Sequence, residues 1–445
     1  MSKARSERSR GRIAGLFAVA VTCAGALAFA GCGSSDESDT TTGSATGSST
    51  AAATTSAANV PKGTPVKLGV VYTSGSPVQN SGWVAAADRA AVAALNADGG
   101  LAGHPVELVT CDDKGDPNET ASCGRKMVSE KVAAVVGGVL INGAALNPIL
   151  AAAKIPQVGI VPYVPVEFNA KNVYTFNGGG FFASSFLAAY AGKEQLKTSV
   201  VAAQTAAAQG FTKGMEATIA AMGSKYLNNV PVSANQADWA PVIAGATRNG
   251  ADTAQSLVDT EQTKQLLAAN ESAGAPLKHV LTISPFSAAD TDSIGGEAAF
   301  SRIVIASPFP PFNQDSPMMA KFRDQLAAQE KTGDEDAALG KQDLASLGGW
   351  LAVQALDQLA KDGSLKGDVT AASVTAALDG AKDVDLGGLI PPWTPTAAGP
   401  ENFTRVSNTK NYLIVYDGTE PKLLTPEPLS IEDIAAGKAP ALPAS

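Results

Sequence analysis

Few side chains in this sequence are placed to make or break bonds. Its two histidines, His104 in a turn and His279 at a strand start, lie far apart without Cys or Glu at ligand spacing. Neither a zinc site nor a Ser-His-Asp arrangement is expected from them. Asp112-Asp113 begin the run DDKGDP, whose residues suit a turn and a helix cap better than a metal site. The glycines of Asn177-Gly178-Gly179-Gly180 follow a strand, but no Lys-Ser/Thr follows them, which argues against a phosphate loop. Glycine there instead permits hinge torsions. These residues therefore give no expectation of a zinc site, a catalytic triad or a phosphate loop, and no metal or cofactor is expected.

The start of the chain says where the protein works. Lys3, Arg5, Arg8, Arg10 and Arg12 precede an apolar stretch over 13–30 and the sequence Phe29-Ala30-Gly31-Cys32. This is an export signal, too short and too alanine-rich for a membrane span. It looks like a lipoprotein signal covering 1–31, with Cys32 as the lipidated first residue of the mature chain. Phe29 stands where leucine is usual, and ordinary cleavage without a lipid is the alternative. Residues 32–65 are almost all Ser, Thr, Ala, Gly and Asp, a composition that buries no core and reads as a disordered tether. Of the four cysteines, Cys23 leaves with the signal and Cys32 takes the lipid. In an exported protein, Cys111 and Cys123 then point to one disulfide; two separate buried thiols are the alternative. A net charge of -9 argues against nucleic acid or anionic lipid as a partner.

The body of the chain exceeds what one hydrophobic core usually serves, so two lobes are expected. Short β-branched runs alternate with alanine-rich helical stretches, the pattern of parallel sheets flanked by helices. The first series has strands at 66–72, 106–110, 132–136 and 157–161. A second has strands at 200–203, 229–232, 252–257 and 279–283. Helical stretches follow at 317–329 and 342–361, the latter with Trp350 in the core. A hairpin across Asp417-Gly418 closes the chain. The predicted class is α/β, with two doubly wound parallel-sheet lobes joined by a multi-strand hinge. Lobe 1 takes 66–180 plus about 308–395, lobe 2 takes 181–307 plus about 396–430, and 431–445 is a C-terminal tail. The crossings fall at 177–180 and at Phe309-Pro310-Pro311-Phe312.

Several runs carry a family resemblance: AVAALNADGGLAGHPVELVTCDDKGDP, then KMVSEKVAAVVGG, KIPQVGI and the late YLIVYDGTEPKLL. In this order and spacing the chain resembles the branched-chain (Leu/Ile/Val-type) amino-acid binding proteins of ABC importers, the type I periplasmic binding proteins. The resemblance implies a non-enzymatic, monomeric receptor outside the cytoplasmic membrane. Its lobes would close on a small solute and present it to a membrane permease. A sensory lipoprotein of the same fold, handing its closed state to a membrane signalling protein, needs the same cleft. An exported hydrolase would need a nucleophile with a base, for which only two histidines are available.

In such a fold ligands meet the loops beyond the carboxyl ends of the strands. In lobe 1 these are 73–80 with Ser74 and Asn80, 138–144, and 162–165. In lobe 2 they are 203–211, 258–261 and 284–287. The resemblance implies a seat for the ligand carboxylate at Asn142, Gly143 and Ala144. The hydroxyls of relatives are absent there, so backbone amides would serve, and Asn142 as a plain N-cap is the alternative. Where relatives place a small hydroxyl for the ammonium, this chain has Tyr163 and Val164. Where they place an acid it has Phe286, and Gln209 replaces an aromatic residue. These departures point to a less zwitterionic, more apolar or aromatic solute such as an organic acid, unless the two rings are ordinary cleft packing. Asp259 and Glu261 lie close enough in the second lobe to serve an amine instead.

Overall fold

A computed structural model describes residues 60–443 apart from 77, 78 and 342. The expected export signal, Cys32 and nearly all of the expected tether lie outside the described residues. Residues 62 and 63 rest on the turn that follows the first helix, both amides donating to Gly103 O at 3.1 Å.

The first lobe begins with β1 (Val66–Tyr72), α1 (Trp83–Ala97), β2 (Val106–Asp112), α2 (Pro117–Ser129), β3 (Ala134–Val136), α3 (Gly143–Ala152), β4 (Gln157–Val158) and β5 (Val173–Tyr174). The strands form one parallel sheet in the order β2-β1-β3-β4-β5. Because both faces are covered by helices, β1 reads as a continuous apolar run with Leu68, Val70 and Val71 all buried. Gly69 lets α2 approach: a Cβ there would lie 2.4 Å from Met127 Sδ. The paired aspartates at the end of β2 organise the neighbouring loops. Asp112 Oδ1 accepts from the amides of Lys114 and Ser74, and Asp113 accepts from Gly115 N and the hydroxyls of Thr73 and Thr120. Asp116 caps α2 ahead of Pro117. A disulfide joins Cys111 on β2 to Cys123 on α2.

After β5 the chain crosses through Asn177, whose side chain accepts from Gly179 N at 2.8 Å. Gly179 has φ +63 and a Cβ there would lie 2.3 Å from Pro162 O, so only glycine fits this first crossing. The second lobe follows as α4 (Gly179–Lys193), β6 (Thr198–Ala203), α5 (Ala206–Ala221), β7 (Asn229–Val232), α6 (Ala240–Ala246), β8 (Thr253–Leu257), α7 (Thr260–Ser272), β9 (His279–Thr282) and β10 (Ile303–Ser307). A second crossing through Pro308 and Phe309 returns to the first lobe. There α8 (Pro317–Glu330), α9 (Asp336–Gly340), α10 (Leu344–Lys361) and α11 (Ala371–Gly380) supply much of the largest core, which contains Trp350. A third crossing leads to β11 (Tyr412–Asp417), β12 (Glu420–Leu423) and α12 (Ile431–Ala435). The second sheet runs β12-β11-β10-β9-β8-β6-β7, parallel except at β11 and β12.

This is the α/β, two-lobed architecture expected from the sequence. It also differs from the expected strand series: β10 is an additional strand, and the strand ahead of Asn177 is the short β5. Residues 431–435, expected in a tail, form α12, whose Ile434 is buried against α4, and Pro440 O accepts from Tyr190 Oη at 2.7 Å. Among the described residues no helix is long and apolar enough to cross a membrane.

Candidate functional site

The carboxyl ends of the two sheets bring both lobes to a common cleft. At its base lies a chamber of about 170 Å³. Val139 and Val161 reach it from the ends of β3 and β4, Gly180 and Ile283 from the second lobe, and Asp343 and Leu344 from the start of α10. Asp343 is the N-cap of α10, accepting from Ser346 N at 2.7 Å. Burial pushes its carboxyl up, against the pull of that capping bond. Ile283 and Leu344 also line a second hollow of about 470 Å³ along β10 and β11, so the two spaces share a wall.

The loops around the chamber are tied to one another. Ser74 donates from its amide and hydroxyl to Asp112, and Asn80 accepts from Gly75 N, so both side chains brace the β1–α1 loop. Gln79 links that loop to the next, donating to Val139 O and accepting from Ile141 N. Asn142 occupies the N-cap position of α3, yet its amide donates to Gly115 O at 3.0 Å and makes no cap bond. Gly143 and Ala144 open the helix, where Gly143 N already donates to Leu140 O at 3.3 Å and Ala145 N to Asn142 O at 2.8 Å. Beside them sits Glu167, 3 % exposed, its Oε2 accepting from Tyr163 N at 2.8 Å and Val164 N at 3.1 Å. Burial drives its pKa up to about 7.

The remaining expected residues part company. Tyr163 meets the second lobe directly, its ring 5.7 Å from that of Phe211 on α5. Gln209 is exposed on α5. Asp259 is exposed and caps α7 through Gln262 N at 2.8 Å. Glu261 pairs with Lys264 at 2.8 Å, and Lys264 also binds Asp290 at 2.9 Å. Phe286 is 2 % exposed within the core of the second lobe, and Tyr416 Oη bridges its amide and carbonyl at 2.9 and 2.7 Å. That ring walls the larger hollow and does not line the chamber.

The sequence profile described as Periplasmic binding protein matches residues 65–409. This chain belongs to that family. Its members are extracytoplasmic receptors that hold small solutes for ABC transporters and do not transform them. No curated protein sequence matches the chain. Among solved structures, a possible leucine/isoleucine/valine-binding protein from Rhodopirellula baltica is similar, with TM-score 0.67 at 17% identity over 85% of this chain and 99% of that one. A fatty acid ABC transporter substrate-binding protein from Thermomonospora curvata has TM-score 0.65 at 16% identity over 87% and 97%. An ABC transporter solute-binding protein of R. palustris, in complex with 4-hydroxybenzoate, has TM-score 0.63 at 18% identity over 81% and 95%. At these identities the likeness speaks for the fold.

Three groups of this periplasmic binding protein escaped sequence reasoning. Asp343 carried a readable signal, an acid directly before the apolar helix LASLGGWL, but that signal announces a cap and not a chamber wall. Gln79 lies inside the expected loop 73–80 and Glu167 outside the expected loops, and neither bridging role was readable because both arise from loops meeting in space. Among the described residues no cluster of three or more His, Cys, Asp or Glu side chains could hold a metal.

Proposed function

We propose that this protein is the lipid-anchored solute receptor of an ABC importer. It takes a small, predominantly apolar organic acid between its lobes and delivers it to a membrane permease. Cys32 carries the lipid and the following tether holds a monomeric body near the outer face of the cytoplasmic membrane. The observation that carries the solute class is the chamber itself. Its walls are Val139, Val161, Ile283 and Leu344, and its one charged lining group, Asp343, is already engaged in capping α10. The seat implied for an amino-acid carboxylate, Asn142 to Ala144, lies beside the Glu167 carboxyl. Asp259 and Glu261, the acids considered for an ammonium group, are occupied by a helix cap and by Lys264.

A thermal-shift panel of amino acids and organic acids tests this, with leucine set against its des-amino analogue, 4-methylpentanoate. A ligand that binds only the folded state raises stability by about 2.7 kcal/mol at one hundred times its dissociation constant. The acid is expected to shift the melt and leucine to leave it nearly unchanged. Leucine as the stronger ligand would refute the solute class. No shift across the panel, with no compaction in small-angle scattering, would refute the receptor reading itself.

A further inference from the structure

The larger hollow holds more than an amino-acid side chain requires, and its walls differ in character from the chamber it adjoins. Phe286, Ile305, Ile414 and Tyr416 form its face on the second lobe, with Pro311 and Phe312 of the second crossing opposite. Its volume of about 470 Å³ falls in the range of sites that enclose whole organic ligands. At the first-lobe edge it presents two cations, Arg323 and Lys341. Arg323 spends one nitrogen on the carbonyls of Phe312 and Gln314, and Lys341 pairs with Glu330. The one acid of this wall, Glu420, is held by Asn313, whose amide spans from the crossing to the β11–β12 hairpin at 3.0 Å.

From this arrangement, and resting on the receptor reading above, we infer that the solute is an extended one, an alkyl or arylalkyl carboxylate that occupies both spaces. Charge fixes its direction. The only ionisable group lining the chamber is the carboxyl of Asp343, which offers an anionic head no partner, whereas the hollow sets two cations, Arg323 and Lys341, against one acid, Glu420. The carboxylate therefore lies at the cationic edge, and the hydrocarbon runs past Ile305 and Ile414 towards Ile283 and Leu344, the residues common to both spaces. Ile283 belongs to the second lobe and Leu344 to the first, so a tail that reaches them contacts both lobes and favours their closure.

The test is calorimetry on the mature chain with straight-chain carboxylates of increasing length, the matching primary alcohols, and leucine. Affinity for the acids should rise roughly three- to fourfold per added methylene until the space is filled. Lys341→Glu, at a half-buried position outside the core, should weaken the acids roughly three- to tenfold and leave the alcohols unchanged. Ile414→Trp, which narrows the path of the hydrocarbon, should end the rise of affinity with length at a shorter acid than in the wild type. Affinity independent of length, or an equal effect of Lys341→Glu on acids and alcohols, would overturn the inference. Binding of leucine or short acids alone would also overturn it while leaving the receptor reading intact; no binding of any panel member would tell against that reading instead.

Discussion

Glu167→Gln offers the sharpest check on how the first lobe is built. The carboxyl is buried, and both backbone donors that hold it, from Tyr163 and Val164, converge on the same oxygen. A glutamine oxygen can accept both bonds, so the substitution removes the charge and keeps the contacts. In the unfolded chain the group titrates at 4.5; burial raises it to about 7 in the folded state. Between those values the unfolded chain releases a proton that the folded chain retains, so stability falls as pH rises. The full stability is present below pH 4.5 and the loss is complete above about 7. That interval corresponds to about 3 kcal/mol at 1.36 kcal/mol per pH unit. Denaturant midpoints for both proteins across pH 4 to 8.5 are the assay. The variant should match the wild type at the acidic end and exceed it by about 3 kcal/mol at the alkaline end. Parallel curves would refute the reasoning, because they would mean that the carboxyl is ionised in both states.

Three further outcomes are expected. Phe211→Ala removes the ring that Tyr163 meets across the lobes, an aromatic pair worth roughly 0.5–1.5 kcal/mol, and should lower solute affinity about two- to tenfold with a larger radius of gyration in scattering; unchanged values would show that the contact does not bias closure. Asp88 on α1 is fully buried with neither carboxylate oxygen hydrogen-bonded, and burial holds its pKa well above the usual range. Asp88→Asn should therefore stabilise the protein at alkaline pH, on the order of 1–3 kcal/mol, with no gain in acid, as read by melting at pH 4 and 9. Replacing Cys111 and Cys123 together by serine opens a loop with a sequence separation of 12 and should cost about 3 kcal/mol in denaturant titration, an effect that reductant reproduces in the wild type.

The fold was legible where local and global preferences agree. The run VKLGVVY between Pro65 and Thr73 has the length and composition of a buried parallel strand, and the DDKGDP run had to turn because its aspartates bond their own following amides. β10 escaped because IVIAS runs straight into Pro308 to Pro311, and the prolines of that crossing overshadow the strand before them. The fourth strand stops at Val158, short of the expected 161, because Gly159 takes φ +70, which an extended strand cannot hold. The site was less legible for a different reason. A phenylalanine after a strand does not announce which way its ring turns, and the hydroxyl of Tyr416, which fixes the backbone of Phe286, lies on a strand 130 residues later. Burial of Glu167 likewise depends on a loop folding back over the start of α3, which no spacing encodes.

The placement of acids around the cleft constrains specificity more than the aromatic residues do. A zwitterion needs an anion seat and an acid in suitable positions. Here the amides at the start of α3 lie beside Glu167, which has an ionised form at neutral pH and above, so a ligand carboxylate there would be opposed by a neighbouring charge. Seating that ligand would favour the protonated form of Glu167, and affinity for any anion at α3 would then fall with rising pH. Glu167 does not line the hollow that presents Arg323 and Lys341, so an anion held there would feel no such coupling. The pH dependence of acid binding therefore separates the two seats without a structure of the complex: a fall through neutrality marks the α3 seat, and a flat profile marks the cationic edge of the larger hollow.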